Sequence, residues 1–171
     1  GFPESRLIPI IARQDHSMEF PFNKILLVKL GSIGDVVNTL PLVHALKTEM
    51  AGLELAWLIE PKSYPIVRKC NNVDRFIVFH REEGVRGAIR ALKEIKQFAP
   101  DLVIDLQRIL RSSFFTFFSG SSNRLGFDRG RCKEFSWIFT NEKIPSRDPN
   151  RHMARQYLEF AEYLGVETGP P

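Results

Sequence analysis

The segment of residues 24–41, KILLVKLGSIGDVVNTLP, constrains the fold of this chain more than any other. Its apolar beginning predicts a β-strand over residues 25–30, which stops at the glycine-containing loop 31–34 and is followed by helical spacing. Such a junction directs backbone N–H groups toward the space above the carboxyl end of the strand, where open α/β sheets bind ligands. Asp35 stands at this junction and is therefore the first candidate for a functional residue.

The rest of the chain alternates short apolar or β-branched runs with longer runs of helical spacing. The patterns predict strands over residues 25–30, 53–59, 75–79, 102–106, 123–127 and 135–141. They predict helices over residues 35–50, 63–70, 84–98 and 109–119, and a last helix that starts at Asp148 and Pro149 and ends at Gly165. This alternation predicts right-handed βαβ units and an α/β fold: a Rossmann-like, mostly parallel sheet with helices on both faces.

Two helices carry more specific expectations. Pro41 lies inside the first predicted helix, so we expect that helix either to kink there or to begin near Thr39. His152 lies at the start of the last helix, where the helix dipole disfavours a positive charge, so we expect a neutral histidine that forms a hydrogen bond.

Spacing also predicts which side chains the helices bury. In the helix over residues 84–98 the predicted buried face consists of Val85, Ile89, Leu92 and Ile95. The helix over residues 109–119 is apolar on most sides, and we expect it to pack in the core rather than meet a lipid. Its aromatic residues are Phe114, Phe115, Phe117 and Phe118.

Length and composition favour one domain. With 171 residues, 43% of them hydrophobic, the chain is long enough for one well-buried core and short for two. We interpret residues 1–17 as an N-terminal extension, residues 18–166 as the domain and residues 167–171 as the start of a linker.

The charge is mildly basic, since Lys and Arg outnumber Asp and Glu by 24 to 20. This bias suits a phosphorylated or carboxylated substrate, or an anionic membrane surface, and does not favour nucleic acid. No apolar run approaches the roughly 18 residues of a membrane-spanning helix. Cys70 and Cys132 lie far apart and outside any CxxC pair, so we expect no metal site and a reduced, cytosolic setting.

Asp35 has two interpretations. A carboxylate at the edge of a glycine loop can accept a proton or bind a hydroxyl, but Asp is also a favoured helix N-cap that contributes about 1 kcal/mol. The loop is an incomplete dinucleotide fingerprint, because Lys29 stands where the first glycine would be, and it lacks the G-K-[ST] of a P-loop. Glu60 ends the second predicted strand, where an acid can bind a ribose, so a self-contained nucleotide or NAD module is an alternative.

Polar residues follow the fourth predicted strand. Asp105 and Gln107 should reach the same carboxyl edge of the sheet as Asp35, and such convergence indicates a site. Asp105 could equally be a hydrogen-bonded structural carboxylate, and Gln107 a loop amide. Arg108 and Arg111 could hold a phosphate or carboxylate through paired hydrogen bonds, or could be solvated surface residues.

Four segments together resemble a known family. They are residues 29–41 with the helix that follows, residues 101–107 (DLVIDLQ), residues 124–129 (RLGFDR), and His152 with Arg155 in the last helix. The combination is similar to the N-terminal half of the ADP-heptose:lipopolysaccharide heptosyltransferases, glycosyltransferase family nine. It covers most of the chain, from Lys24 to Gly165.

The resemblance implies a GT-B fold, in which two Rossmann-like domains face a cleft. The N-terminal domain would hold the acceptor, a lipopolysaccharide inner-core sugar, and a C-terminal domain outside these residues would hold the nucleotide sugar ADP-heptose. We therefore expect the 171 residues alone to be inactive. The reaction would be an inverting transfer of heptose in the cytoplasm, without metal or cofactor, and is compatible with peripheral association at the cytoplasmic face of the inner membrane.

The resemblance also implies roles for single residues. The family's general base falls on Asp35, and the acceptor-binding positions fall on Ser32, Gly34, Asn38, Gln107 and Arg111. Arg81, Arg86 and Arg90 lie where the family places basic residues against an anionic inner-core sugar. Arg108 departs from the family pattern because it replaces a glycine, and Arg111-Ser112 replaces Lys-Ser. A noncatalytic domain that binds anionic glycans is a further alternative.

Overall fold

The computed structural model describes residues 21–168. The extension predicted over residues 1–17 lies outside the described residues, and only residues 167 and 168 of the predicted linker lie inside them. The proposed domain boundaries therefore stay predictions.

Six strands form one sheet in which every neighbouring pair is parallel. The strands are β1 Lys24–Val28, β2 Glu54–Ile59, β3 Arg75–Val78, β4 Leu102–Asp105, β5 Asn123–Gly126 and β6 Glu142–Lys143. Their order is β3-β2-β1-β4-β5-β6, so the chain reverses direction across the sheet between β1 and β4. The predicted parallel, Rossmann-like sheet is confirmed, and its switch point lies beside the end of β1.

Within residues 21–168, five helices cover the sheet on both faces, as predicted. They are α1 Ile33–Glu49, α2 Tyr64–Val67, α3 Gly84–Phe98, α4 Leu110–Phe118 and α5 Met153–Tyr163, with 3₁₀ turns at Arg81–Glu83 and Ser136–Phe139. Leu27 and Trp57 point to the face covered by α1 and α5, whereas Leu26 and Leu58 point to the face covered by α3 and α4. Because β1 is covered on both faces, its uniformly apolar sequence is what this position requires.

Helix α1 runs without interruption from Ile33 through Pro41 to Glu49, so the expected start near Thr39 is wrong. Pro41 is exposed, while Val36 and Leu42 on either side of it are fully buried against the core. Packing of these residues outweighs the hydrogen bond that proline cannot donate.

The predicted buried face of α3 is wrong in its first half. Val85 and Ile89 are 75% and 61% exposed, whereas Gly87 and Ala91 face the sheet. At Gly87 a Cβ atom would lie only 2.2 Å from the carbonyl oxygen of His80. The close approach of helix and backbone at this glycine therefore decides the rotation of α3, and a count of apolar residues cannot detect it.

The expectation that α4 buries its phenylalanines is correct only for Phe115. Phe114, Phe117 and Phe118 are 41–48% exposed. The helix instead buries Ser112, Ser113 and Thr116, whose hydroxyls form hydrogen bonds inside the protein. Polar bonding thus rotates α4 so that most of its aromatic rings face outward.

Two further boundaries differ from the predictions. The strand expected over residues 135–141 is a 3₁₀ turn, and β6 follows it at Glu142–Lys143. Helix α5 begins at Met153 rather than after Asp148, because the Asp148 side chain accepts a hydrogen bond from Asn150 N and closes a separate turn.

The ends of α5 match two expectations. His152 is the N-cap, and its Nδ1 accepts a hydrogen bond from Ala154 N at 3.3 Å, which confirms the expected hydrogen bond, while the neutral charge of His152 stays a prediction. Gly165, with φ of +84°, follows the helix as the predicted left-handed residue.

A buried ion pair attaches α5 to the loop that follows β5. Arg131 Nη1 lies 2.6 Å from Glu159 Oε2, and both side chains are buried. Arg131 also donates to Asp128 and, at 2.9 Å, to the carbonyl oxygen of Pro145. A buried pair of this kind is costly to break because the remaining charge stays out of water.

We expect Glu159→Leu to lower the free energy of unfolding by roughly 3 kcal/mol, because Arg131 would lose its buried partner. The control is Glu162→Leu on the same helix, which removes a partly exposed pair with Arg147 and should cost less than about 1 kcal/mol. Urea unfolding measures both values. Equal losses in the two variants would contradict the proposed importance of the buried pair.

Candidate functional site

A cleft of about 540 Å³ lies at the switch point, above the carboxyl ends of the central strands. The loop of residues 30–34 after β1 forms one wall. The other lining residues follow β2 and β4: Glu60, Lys62, Ser63, Gln107, Ile109 and Arg111. Because α1 and α4 leave the sheet toward opposite faces, the loops separate here and open a space for a ligand.

Gln107 joins the two central strands at this cleft. Its Oε1 accepts a hydrogen bond from Leu30 N at 3.2 Å. The carbonyl end of the amide is thus used inside the protein, while the Nε2 end carries donors that a ligand can use. The structure confirms that Gln107 meets the glycine loop at one edge of the sheet.

Arg111 faces Glu60 across the cleft. Arg111 Nη1 lies 3.7 Å from Glu60 Oε1, and both side chains are partly exposed. A guanidinium beside a carboxylate can bind hydroxyls through the acid and an anionic group through the base. Glu60, considered above as a ribose ligand, is in this structure the counter-ion of Arg111.

Asp35 is not the helix N-cap. That position belongs to Ser32, and Asp35 is the third residue of α1. Its Oδ2 accepts a hydrogen bond from Lys29 Nζ at 3.0 Å, and the side chain is 37% exposed. Among the described residues Gly34 lines the cleft, whereas Asp35, the next residue, is not a lining residue and its carboxylate contacts Lys29.

Lys29 is the residue that reasoning from the sequence missed. Its side chain is only 3% exposed, its Nζ lies 5.6 Å from the centre of the Tyr157 ring, and its carbonyl oxygen accepts from Trp57 Nε1 at 3.0 Å. Burial lowers the pKa of Lys29, and the hydrogen bond and charge of Asp35 act in the opposite direction. The sequence signal that could have identified Lys29 is a lysine within an otherwise apolar strand segment.

Tyr157 completes the surroundings of this pair from α5. The side chain is fully buried, and its hydroxyl has no hydrogen-bond partner among residues 21–168. Burial, followed by the charge of Asp35, raises the pKa of Tyr157. Lys29, Asp35 and Tyr157 therefore form a polar group beside the glycine loop, in which the exposed member is the carboxylate.

Asp105 takes the structural role that the sequence left open. Its Oδ1 accepts from Gln107 N at 3.0 Å, and its Oδ2 accepts from Ser112 Oγ at 3.0 Å and Thr116 Oγ1 at 3.1 Å. Burial raises the pKa of Asp105, and these hydrogen bonds oppose the shift. Asp105 thus holds the start of α4 and the loop that carries Gln107.

Arg108 does not line the cleft. Its backbone has φ of +64°, the left-handed region in which glycine is favoured. Its guanidinium carbon lies 5.0 Å from the centre of the Phe127 ring, on the side of α5. Having arginine instead of glycine at this position therefore raises the conformational free energy of the backbone more than it changes the lining of the cleft.

The remaining candidates separate into two groups. Ser32, Gly34, Gln107 and Arg111 line the cleft together. Asn38 lies one turn further along α1, and Arg81, Arg86 and Arg90 lie along the segment from the 3₁₀ turn into α3. None of these four is among the lining residues that the described part of the chain provides, and Arg90 pairs with Glu83 at 2.6 Å.

Residues 21–168 contain neither a cluster of metal ligands nor a membrane-spanning helix. No group of three or more His, Cys, Asp or Glu side chains there is arranged to hold a metal ion. In the same part of the chain, no helix has the length and apolar character needed to cross a membrane.

Comparison with known proteins agrees with this geometry. The family model for glycosyltransferase family 9 (heptosyltransferase) matches residues 88–171. The lipopolysaccharide core heptosyltransferase OpsX of Haemophilus influenzae is 25% identical over 146 residues, which is 85% of this chain and 41% of OpsX. Lipopolysaccharide heptosyltransferase 1 of Pseudomonas aeruginosa is 31% identical over 120 residues, which is 65% of this chain and 34% of that protein. The chain thus spans about a third to two fifths of the length of these relatives.

Solved structures show the same fold. Escherichia coli heptosyltransferase WaaC with ADP aligns with a TM-score of 0.76 at 24% identity, over 86% of this chain and 49% of WaaC. The family 9 glycosyltransferase of Veillonella parvula aligns with a TM-score of 0.74 at 23% identity, over 88% of this chain and 43% of that chain. The predicted placement in the N-terminal part of such a fold is confirmed.

We expect Asp105→Asn to become more stable relative to the wild type as the pH rises. The folded state keeps the Asp105 proton above the unfolded pKa of about 3.9, so it binds more protons than the unfolded chain in that window and wild-type stability falls with pH. Asparagine does not titrate, and its side-chain oxygen can still accept the hydrogen bond from Gln107 N. Urea unfolding from about pH 4 to about pH 7 measures the difference. A difference that stays constant with pH would contradict the assignment.

Proposed function

Because this chain is an N-terminal part of the glycosyltransferase family 9 fold, as its sequence predicts, we propose that it supplies the acceptor side of an inverting glycosyltransferase. The full-length protein would move heptose from ADP-heptose to a hydroxyl of a lipopolysaccharide inner-core sugar. The names of the matched relatives and the ADP held by WaaC support these substrates. The donor would bind mainly to the part of the protein outside this chain.

The observation that carries the proposal is the partly exposed Asp35 carboxylate, which Lys29 holds and which follows Gly34, a lining residue of the switch-point cleft, in the chain. As general base, Asp35 accepts the proton of the acceptor hydroxyl while the oxygen forms a bond to the anomeric carbon of the donor. The bond from that carbon to the diphosphate breaks on the opposite face, and ADP leaves. These steps account for every bond made and broken, so the proposal includes no cofactor.

Lys29 acts as a positioning residue in this mechanism. Its ammonium group donates to Oδ2 of Asp35 from a buried site, which holds the carboxylate in one orientation. Tyr157 closes the other side of Lys29 with an aromatic face, which attracts a cation. The base is therefore prepared before the acceptor binds.

The cleft supplies the acceptor contacts. Backbone and hydroxyl groups at Ser32 and Gly34, the amide of Gln107 and the guanidinium of Arg111 all face it. Arg111 would bind an acidic group of the acceptor, with Glu60 limiting how far its side chain can move. Asn38, Arg81, Arg86 and Arg90 would contact only parts of the acceptor that extend beyond the cleft.

The alternative of a self-contained nucleotide module was based on Glu60, which the structure shows in a different role. Glu60 lies 3.7 Å from Arg111 rather than in a complete glycine fingerprint, and the relatives that match this chain are glycosyltransferases. We place the proposed reaction in the cytoplasm, at the inner face of the inner membrane, where a lipid-borne acceptor would be accessible.

We expect Asp35→Asn in the full-length protein to lower kcat by about 10²- to 10⁴-fold, because the amide cannot accept the acceptor's proton. Release of ADP from ADP-heptose, measured with a lipopolysaccharide inner-core acceptor, gives the rate. The matched control is Asp148→Asn in an exposed turn, which should keep wild-type activity. Wild-type kcat in Asp35→Asn would exclude the general-base role. Acceptor binding without transfer by the wild type would indicate the noncatalytic glycan-binding alternative.

We expect Lys29→Met to lower kcat by about 10- to 100-fold, since the carboxylate would lose the group that orients it. The measurement is the kcat of the full-length protein, with exposed Lys69→Met as the control. An unchanged kcat would show that Lys29 does not act through Asp35.

A further inference from the structure

Helix α4 presents an aromatic face to solvent. Leu110, Phe114, Phe117 and Phe118 follow helical spacing on one side of the helix and are each 41–48% exposed. We call these four residues the aromatic face. Single exposed apolar side chains are ordinary on protein surfaces, but a contiguous group of large ones indicates an interaction site.

The rings of the aromatic face are in mutual contact. The ring centres of Phe114 and Phe118 are 5.0 Å apart, and those of Phe117 and Phe118 are 5.1 Å apart. Phe117 also lies 5.8 Å from Phe139 in the neighbouring 3₁₀ turn. In or beside that turn, Phe135 and Ile138 are 69% and 60% exposed. The apolar surface therefore continues from α4 onto a second element.

Internal bonds hold this face outward. Ser112 and Thr116, on the opposite side of α4, donate to the buried Asp105, and Ser113 donates to the carbonyl oxygen of Ile109. Rotating α4 to bury the phenylalanines would leave a buried carboxylate without its donors, which is strongly unfavourable. The exposure is thus built into the fold.

Basic side chains outnumber acidic ones around the aromatic face. Arg124 lies 5.7 Å from the Phe117 ring centre, and Arg129 lies 4.7 Å from the Trp137 ring centre. Arg111, in the first turn of α4, pairs with Glu60 at 3.7 Å, and Glu134 accepts a hydrogen bond from Leu110 N, so two acids offset part of this charge. Helix α3 covers the same face of the sheet. It exposes Arg86, Arg90, Lys93 and Lys96 and contains one acid, Glu94. Although Glu83 pairs with Arg90, the surface as a whole complements a negatively charged partner.

We propose that the aromatic face docks onto the surface of a bilayer that contains anionic phospholipid. Aromatic and leucine side chains would enter the boundary between headgroups and acyl chains, and the surrounding cations would contact the headgroups. The inference rests on the proposed function, because an acceptor carried on a lipid must be reached at a membrane surface. Arg111 lies in the first turn of α4 and also lines the cleft. Docking of α4 on a bilayer therefore brings the cleft close to the membrane surface.

The charges favour a bilayer over a second copy of this chain. In a two-fold symmetric dimer the same surface meets itself, which would bring the arginines of α4 and its neighbours together. Like charges at an interface oppose association, whereas anionic headgroups neutralise them.

The test uses the full-length protein and sedimentation with vesicles of phosphatidylglycerol and phosphatidylcholine. The triple variant Phe114→Ser/Phe117→Ser/Phe118→Ser should bind at least about tenfold more weakly than the wild type, and added salt should weaken wild-type binding. The matched control is Ile66→Ser on α2, a similarly exposed apolar residue on the other face of the sheet, which should bind as the wild type does. Circular dichroism verifies folding. Equal binding by the triple variant would overturn the proposal.

Two further measurements separate the other occupants. In the variant Phe118→Trp, brominated acyl chains should quench the fluorescence of the introduced side chain. Unquenched fluorescence would show that another part of the protein covers the aromatic face. If sedimentation velocity shows a dimer that the triple variant abolishes, a second copy of the chain covers the aromatic face instead.

Transfer activity gives a further test. The triple variant should lose transfer to an acceptor embedded in vesicles and should keep transfer to a water-soluble, deacylated acceptor. Loss of transfer to both acceptors would overturn the proposal. Absence of transfer by the wild type to either acceptor would overturn the proposed function and leave the vesicle binding intact.

Discussion

The double burial of β1 is the constraint on which the rest of the structure depends. This strand is paired on both edges, with β2 and β4, and covered on both faces by helices. Such a strand must end where polar side chains and exposed backbone begin, and β1 ends just before Lys29 and the glycine loop. The cleft, the candidate base and its lysine partner all lie within a few residues of that end.

Buried polar groups decide orientations that apolar packing leaves undetermined. Asp105 gathers the amide of Gln107 and two hydroxyls of α4, so it sets both the position of the cleft loop and the rotation of the helix. Arg131 and Glu159 do the same for α5. The Asp105 cluster connects the cleft loop to the sheet, and the Arg131–Glu159 pair connects α5 to the loop after β5.

The sequence was sufficient for the features that depend on periodicity and strand endings. The parallel sheet, the glycine loop and the meeting of Gln107 with that loop are of this kind, because the carboxyl ends of parallel strands share one edge. It was insufficient where long-range contacts decide. The rotation of α3 depends on the approach of Gly87 to the His80 carbonyl, and the outward rings of α4 depend on Asp105. Lys29 became a candidate only when its side chain was found against Asp35.

The position of Tyr157 has a consequence for how the candidate base responds to movement. Its ring, carried by α5, shields the ammonium group of Lys29, which follows β1 and lies about 130 residues earlier in the chain. Any displacement of α5 would admit water to Lys29 and loosen its hydrogen bond to Asp35, because a solvated ammonium gains other acceptors. The reactivity of the carboxylate is thus mechanically linked to the seating of the last described helix.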